Sequence, residues 1–385
     1  MGKFRSTKVT EFLDAAISTP DILEEYFRKY HITLNLKEST APFSTVIAYL
    51  DNLTDTDLKD TIEEEIARLY DIAKTMTGFI PDVIQKYHIA STGKENQHQL
   101  ILGIFLKSKP AYNHLSDYYL LYGSGNKLSR HKMECTSFTI TPGKMEQFKA
   151  QIKAWFKDRR QGKDCIIRHY EENGKLIIAV IRGKNKKHQL VLKDEDKEVN
   201  TETIIFRPAY EDILQYDGKT SFSVHTSLRK DREKYIDVFA DIIICDKSQA
   251  MRPDRDDTYI LKPLQEDDFS FPVNETIRSV KLTAVTMVLN GSTKPTIRID
   301  STDINQTFNN DIAGLGIDSG ELTSAKFLFI LQVNGKAIEV SFEITPPSST
   351  DLGSKKYNEI INKYLEDIGI KENDKVPFKA DREKP

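Results

Sequence analysis

The sequence predicts an α+β protein: a helical N-terminal region followed by two antiparallel β-rich units with accessory helices. Two observations carry that reading. Residues 1–92 repeat their apolar side chains at steps of three and four, the period of an amphipathic helix. After residue 97, paired apolar runs flank Asn-Gly or Asp-Gly three times, the strongest short-range hairpin signal. No repeat of fixed period occurs among the helices, which argues against a solenoid.

The elements follow in order. A first helix fits Lys8–Ile17, with Val9, Phe12, Leu13 and Ala16 on one face. Thr19-Pro20-Asp21 then supplies an N-cap, a proline at the first helical position and an acid in the first turn. The helix after it carries Ile22, Leu23, Tyr26, Phe27 and Tyr30, and Ser44 can cap Val46–Leu50. Asp57–Met76 is the clearest helix, through Leu58, Ile62, Ile66, Leu69 and Ile72, and Thr77-Gly78 stops it. Pro81–Ile89 reads as one more short helix.

From Gln97 the pattern changes. Leu100–Leu106 is an apolar run compatible with a strand, and Thr136–Ile140 is a second candidate. The run Tyr118–Tyr122 reads either as a buried element or as an aromatic surface for a protein partner. A helix fits Lys144–Lys157, with Met145, Phe148, Ile152, Trp155 and Phe156 as its apolar stripe. The three hairpins join Cys165–Tyr170 to Lys175–Ile181, Ile213–Gln215 to Ser221–Val224, and Lys326–Gln332 to Ala337–Ile344. A helix fits Arg229–Ala240, with Ile242–Ile244 after it. The polar stretch Lys247–Asp257 is the expected domain break. Val280–Leu289 and Thr296–Ile299 read as strands, Pro346-Pro347 ends that sheet, and Tyr357–Ile368 is a closing helix. The expected domains are therefore 1–92, 97–246 and 258–370, with a charged tail over 371–385.

Composition excludes several classes. Of 385 residues, 39% are hydrophobic and 29% charged, enough for a packed core. No apolar run is long enough to span a membrane, and MGKFRSTKVTEF lacks the apolar core of a signal peptide. The same start does not fit myristoylation. Three widely spaced cysteines cannot form a disulfide framework, so a reducing, cytoplasmic setting is expected.

Cofactor signals are weak. No close Cys or His pairs announce zinc, and no HExxH occurs. Gly123-Ser124-Gly125-Asn126-Lys127 lacks Walker spacing, and Gly314-Leu315-Gly316 lacks the third glycine of a dinucleotide loop. No G-x-S-x-G elbow exists. The expectation is a protein with no cofactor, no metal and no catalytic residue of its own.

One stretch invites a comparison. Asp212–Gln215, the turn at Asp217-Gly218, Phe222–Thr226 and the helix from Arg229 run strand, turn, strand, helix. That order resembles the core of PD-(D/E)xK nucleases. The resemblance implies a metal-dependent nuclease in which Asp212 would help hold a divalent cation. Where that family has its D/E-x-K, this chain reads Ser223-Val224-His225-Thr226, so the implied version is degenerate.

Charge gives the stronger lead. The net charge is −3, yet Lys144–Lys193 holds fourteen Lys and Arg against five Asp and Glu. That segment carries +9 and the remainder −12. Lys149, Lys153 and Lys157 recur at i, i+4 and i+8, and Arg159, Arg160 and Lys163 extend the stripe. Arg182, Lys184, Lys186 and Lys187 fall in what reads as a loop beyond the first hairpin, and Arg229 and Arg232 begin the helix downstream. Clustered cations near glycine suit phosphate contact. The expected function is a non-catalytic subunit binding DNA, RNA or a nucleoprotein, with a protein partner and no membrane. Such a subunit suits a bacterial multi-protein system, phage defence among them. The alternatives are the degenerate nuclease and a purely protein–protein scaffold.

Overall fold

A computed structural model describes residues 6–372, apart from 124–125, 136–138, 160–164, 173, 185–186, 196–197, 207, 253–255, 257, 267–268, 291, 313, 334 and 356. The chain divides into two compact units, Met1–Ser124 and Gly125–Pro385. It is an α+β protein, with eleven α-helices and two antiparallel sheets among the described residues.

The first unit is all helix: α1 (Thr7–Ala16), α2 (Pro20–Arg28), α3 (Pro42–Asn52), α4 (Thr56–Thr75), α5 (Ile80–Lys86), α6 (Gln97–Lys107) and α7 (Lys109–Tyr122). Its stripes bury as the spacing requires: Val9, Phe12, Leu13 and Ala16 on α1, and Ile62, Ile66, Leu69 and Ile72 on α4. Asp55 caps α4, accepting from the Leu58 amide at 2.9 Å. Leu100–Leu106 is not a strand but most of α6. Asn96 accepts from the Gln99 amide at 3.1 Å while the Gln99 side chain accepts from the Asn96 amide at 2.8 Å. That reciprocal cap starts a helix and offers a strand nothing. Tyr118–Tyr122 also lies on a helix, α7, with Tyr118 and Leu121 buried. The helical region thus runs to residue 124 rather than 92.

The second unit begins with β1 (Leu128–Lys132) and α8 (Pro142–Asp158), followed by β2 (Ile166–Glu172) and β3 (Lys175–Gly183). Next come β4 (Lys187–Glu195), β5 (Glu198–Phe206), β6 (Ala209–Tyr216), β7 (Ser221–His225) and α9 (Arg229–Val238). The rest is β8 (Ile277–Leu289), β9 (Thr296–Asp300), α10 (Ile304–Asn310), β10 (Gly320–Val333), β11 (Lys336–Thr345), β12 (Ser349–Thr350) and α11 (Asn358–Asp367). Ten strands form one sheet in the order β2-β3-β6-β7-β1-β12-β11-β10-β8-β9, and among the described residues β4 pairs only with β5.

All three expected hairpins form. At the second, Asp217 Oδ1 accepts from the amides of Lys219, Thr220 and Ser221, each at 2.9 Å, and Gly218 takes a φ of +80°. A side chain thereby replaces the backbone partners the turn cannot supply. The expected separation into two sheets does not occur, because β1 pairs with β7 on one side and β12 on the other. Residues 247–257 do not divide the sheet. Asp256 within them accepts from His131 Nδ1 on β1 at 2.6 Å. Thr139 and Ile140 are not in a strand, and residues 136–138 of that candidate lie outside the described ones. Ile242–Ile244 belong to a π-helical turn, Phe239–Ile244, whose Phe239 stacks on Phe222 with ring centroids 4.3 Å apart.

Two apolar clusters serve this one sheet. α8, α9 and the π-helical turn pack Phe148, Ile152, Phe156, Tyr235 and Phe239 against Leu176, Ile178, Val180, Leu214 and Tyr216. At the other end, α10, α11 and the chain at 259–264 cover β8, β10 and β11 around Phe327, Phe329 and Phe342. Phe327 is fully buried and its ring stacks on Phe342 at 5.4 Å. Phe327→Ala is expected to lose about 3–5 kcal/mol through lost burial and an unfilled cavity, measured by urea denaturation.

Candidate nucleic-acid interface

The β3–β6 register explains where the basic segment goes. Successive strand residues alternate faces, so Leu176, Ile178, Val180 and Arg182 share one. The first three enter the α8/α9 core, and Arg182 must follow them inward. On β6, Val180 lies opposite Asp212 and Arg182 opposite Tyr210. An arginine and an aspartate thus occupy positions that the alternation reserves for apolar side chains.

They are buried together. Arg182 is 1% exposed, Asp212 1% and Asp231, in the first turn of α9, 0%. Arg182 Nε donates to Asp212 Oδ2 at 2.6 Å, and its Nη2 lies 2.7 Å from Asp231 Oδ2. The Tyr235 hydroxyl donates to Asp212 Oδ2 at 2.7 Å. Asp231 also accepts from Trp155 Nε1 at 3.3 Å and from the guanidinium of Arg159, at the end of α8. The Arg182 guanidinium carbon lies 4.7 Å from the Phe156 ring centre and 4.3 Å from that of Tyr210. Burial opposes the charge on Arg182, but Asp212, Tyr235 and Asp231 outweigh it and hold its pKa above the ordinary arginine value. Burial, then the Asp212 charge, pushes the Tyr235 phenol well above its usual value. It therefore stays protonated and donates.

The other candidate residues separate into two groups. Arg159 is committed to Asp231, and Arg232 is half-buried with Nη1 donating to Ser129 at 2.9 Å. Lys184 is half-buried, its ammonium 4.0 Å from the Tyr210 ring centre. Lys149 is half-buried and pairs with Glu146 at 2.9 Å. That pairing, with Lys153 adding to the field, lowers the Glu146 pKa. Lys153 and Lys157 are exposed on α8, and Arg229 and Lys230 are exposed at the start of α9. Lys187 is exposed at the start of β4. Arg160, Lys163 and Lys186 lie outside the described residues.

Two corrections follow. Arg182 is a core residue of β3, so its side chain cannot reach a ligand on the surface. Residues 182–188 are not one loop, since β3 runs to Gly183 and β4 begins at Lys187. The sequence carries no alternation that could have placed Arg182, because Leu176–Ile181 is apolar on both faces of β3.

The stripe on α8 lies beside the edge strand β2. Partial desolvation, then the charge of Lys149, lowers the pKa of His169, an exposed residue of β2. Burial pushes the Cys165 thiol up to about 12, with Lys153 opposing. Strand, turn, strand and helix follow one another at β6, β7 and α9 in the order the nuclease resemblance requires. Asp212, however, is taken up by Arg182 and Tyr235. Among the described residues, no group of three or more His, Cys, Asp or Glu is arranged to hold a metal ion. A cleft of about 470 Å³, lined by Tyr259, Leu261, Gln265, Glu321 and Leu322, includes none of the candidate cations. No described helix is long and apolar enough to cross a membrane. Comparison with known proteins finds no family model and no curated protein that matches the chain.

Removing one partner of a buried ionic group strands the others without compensation. Arg182→Met is expected to cost about 3–5 kcal/mol. Lys184→Met, changing a half-exposed ammonium over the same Tyr210, is expected to cost under about 1 kcal/mol. Urea titrations of the two variants measure the contrast.

Proposed function

We propose that this protein is a non-catalytic subunit that binds nucleic acid through its phosphate backbone, along the exposed face of α8 and the first turn of α9. One observation carries the reading. Lys153, Lys157, Arg229 and Lys230 are exposed and form no ion pair among the described residues, while their neighbours Lys149 and Arg159 pair with Glu146 and Asp231 and Arg232 donates to Ser129.

The positions of these cations cost the fold something. Lys149, Lys153 and Lys157 repel one another along one helix face by a few tenths of a kcal/mol per pair, and only Lys149 is offset by a carboxylate. Arg229 and Lys230 occupy the first turn of α9, the positive end of its dipole, where cations are disfavoured. A phosphate backbone would relieve both penalties. The nearby aromatic rings offer no open platform for bases. Trp155 has the cations of Arg159 and Lys234 within 5.7 Å, and Tyr210 has those of Arg182 and Lys184 within 4.3 Å. Backbone contact without base stacking implies binding with little sequence preference.

Fluorescence anisotropy with labelled duplex DNA and RNA at low salt tests the reading. The wild type is expected to bind with strongly salt-dependent affinity, and Lys153→Glu/Lys157→Glu/Lys230→Glu to weaken binding more than tenfold without lowering the melting temperature. Each single Lys→Ala should reduce the salt slope by about one. A wild type that binds neither duplex at ~50 mM salt would sink the proposal.

A further inference from the structure

The β4–β5 ribbon stands apart from the sheet. Its strands pair with each other from Lys187 opposite Phe206 to Glu195 opposite Glu198, and with no other strand among the described residues. At about 3.3 Å per residue, nine residues reach roughly 30 Å. A lone two-stranded ribbon of this kind is marginally stable in water. Leu190 is 66% exposed and Ile204 43%. Leu190 lies opposite Thr203 and Ile204 opposite Gln189, so the two apolar side chains belong to opposite faces of the ribbon. Among the described residues, neither long edge pairs with a further strand, which leaves a template on which another strand can add.

The sequence of β4 says which strand. It reads Lys187-His188-Gln189-Leu190-Val191-Leu192-Lys193-Asp194-Glu195: basic at its start, apolar at its centre, acidic at its end. Antiparallel pairing of two copies about a two-fold axis at Val191 sets Lys187 opposite Glu195 and His188 opposite Asp194. It also sets Gln189 opposite Lys193 and Leu190 opposite Leu192. In that register no charge meets its like, and the apolar positions coincide. β5 lacks this property. Paired about its own centre it would set Glu202 against Glu202 and Glu198 against Phe206.

We infer that β4 is the edge by which two copies of this chain associate, forming a four-stranded ribbon in the order β5-β4-β4-β5. The contact is isologous, so it closes at two copies instead of propagating.

Light scattering on the full-length protein after gel filtration reads the association. The wild type is expected at twice the chain mass. Lys187→Glu and Glu195→Lys each place like charges opposite one another at both ends and should shift the protein toward the single-chain mass. The double variant restores complementarity with reversed polarity and should recover the dimer. Oxidative cross-linking provides a second readout. In an antiparallel pair, facing Cα atoms lie about 4.5–5.5 Å apart, within disulfide range. Val191→Cys, opposite itself across the axis, should therefore give a covalent dimer beyond the wild-type background, whereas Gln189→Cys, facing Lys193, should not. A monomeric wild type, a dimer indifferent to both single charge reversals, or a double variant that fails to recover while Val191→Cys stays uncross-linked would overturn the inference.

Discussion

The buried charge of Arg182 is the constraint on which the α8/α9 half of the second unit is organised. A guanidinium without water needs carboxylates, and here they come from two different elements: Asp212 from the neighbouring strand and Asp231 from the first turn of a helix. Through Asp231 the same network reaches Trp155 and Arg159 at the end of α8. One side chain therefore ties β3, β6, α9 and α8 into a single arrangement. Buried ion pairs of this kind add little net stability over an apolar replacement of similar volume. Their effect is specificity, because an alternative packing of either helix would leave a charge unpaired in the interior.

That arrangement sorts the basic residues of this region. Of those facing inward or along the seam, Arg159 pairs with Asp231 and Lys149 with Glu146, while Arg232 donates a hydrogen bond to Ser129. Those left over lie on the outer side of α8 and at the start of α9. A lysine-rich stretch on a nearly neutral protein is commonly a solvated surface. Here Arg229 and Lys230 sit at the helix end where the dipole disfavours cations and Lys149 and Lys153 repel along one face, whereas Lys157 lies in the last turn of α8, where the dipole favours it. Elsewhere in the unit the polar face of the sheet is handled differently. Burial favours the neutral form of Glu343, but a Ser324 hydrogen bond and the charges of Lys127 and Arg298 outweigh it and keep the pKa below the ordinary value. That group is already compensated and offers no free charge.

How far the fold could be read from the chain depended on whether the deciding interaction was local. The hairpins were legible because their turns are made by adjacent residues, as Asp217 and Gly218 show. The amphipathic helices were legible because one face meets water. α6 was misread as a strand because it is apolar almost all round, packed among α1, α2, α4, α5 and α7, and so lacks a helical period. Its true marker was the Asn96/Gln99 cap. β4 and β5 carry no clear alternation, because β4 mixes basic and acidic ends around an apolar centre and β5 mixes polar, acidic and apolar residues without a period of two. β1 and β12 escaped because they are short and are defined by partners far away in the chain. Arg182 reads as a surface residue because of its basic neighbours, and the unbroken apolar run Leu176–Ile181 before it gives no alternation from which to tell its face. Asp212 and Asp231, the partners that make its burial possible, are not adjacent to it in sequence and carry no signature of their own.

The claim that Arg182 locks α8 and α9 onto the sheet can be tested by native-state amide hydrogen exchange on Arg182→Met. Loss of about 3 kcal/mol of local stabilisation corresponds to roughly a 100-fold faster exchange. That acceleration should appear in the last two turns of α8 and the first two turns of α9. β8, β10 and β11, which belong to the other apolar cluster, should retain their protection. Unchanged protection in α8 and α9, or a uniform loss across the whole unit, would contradict the account.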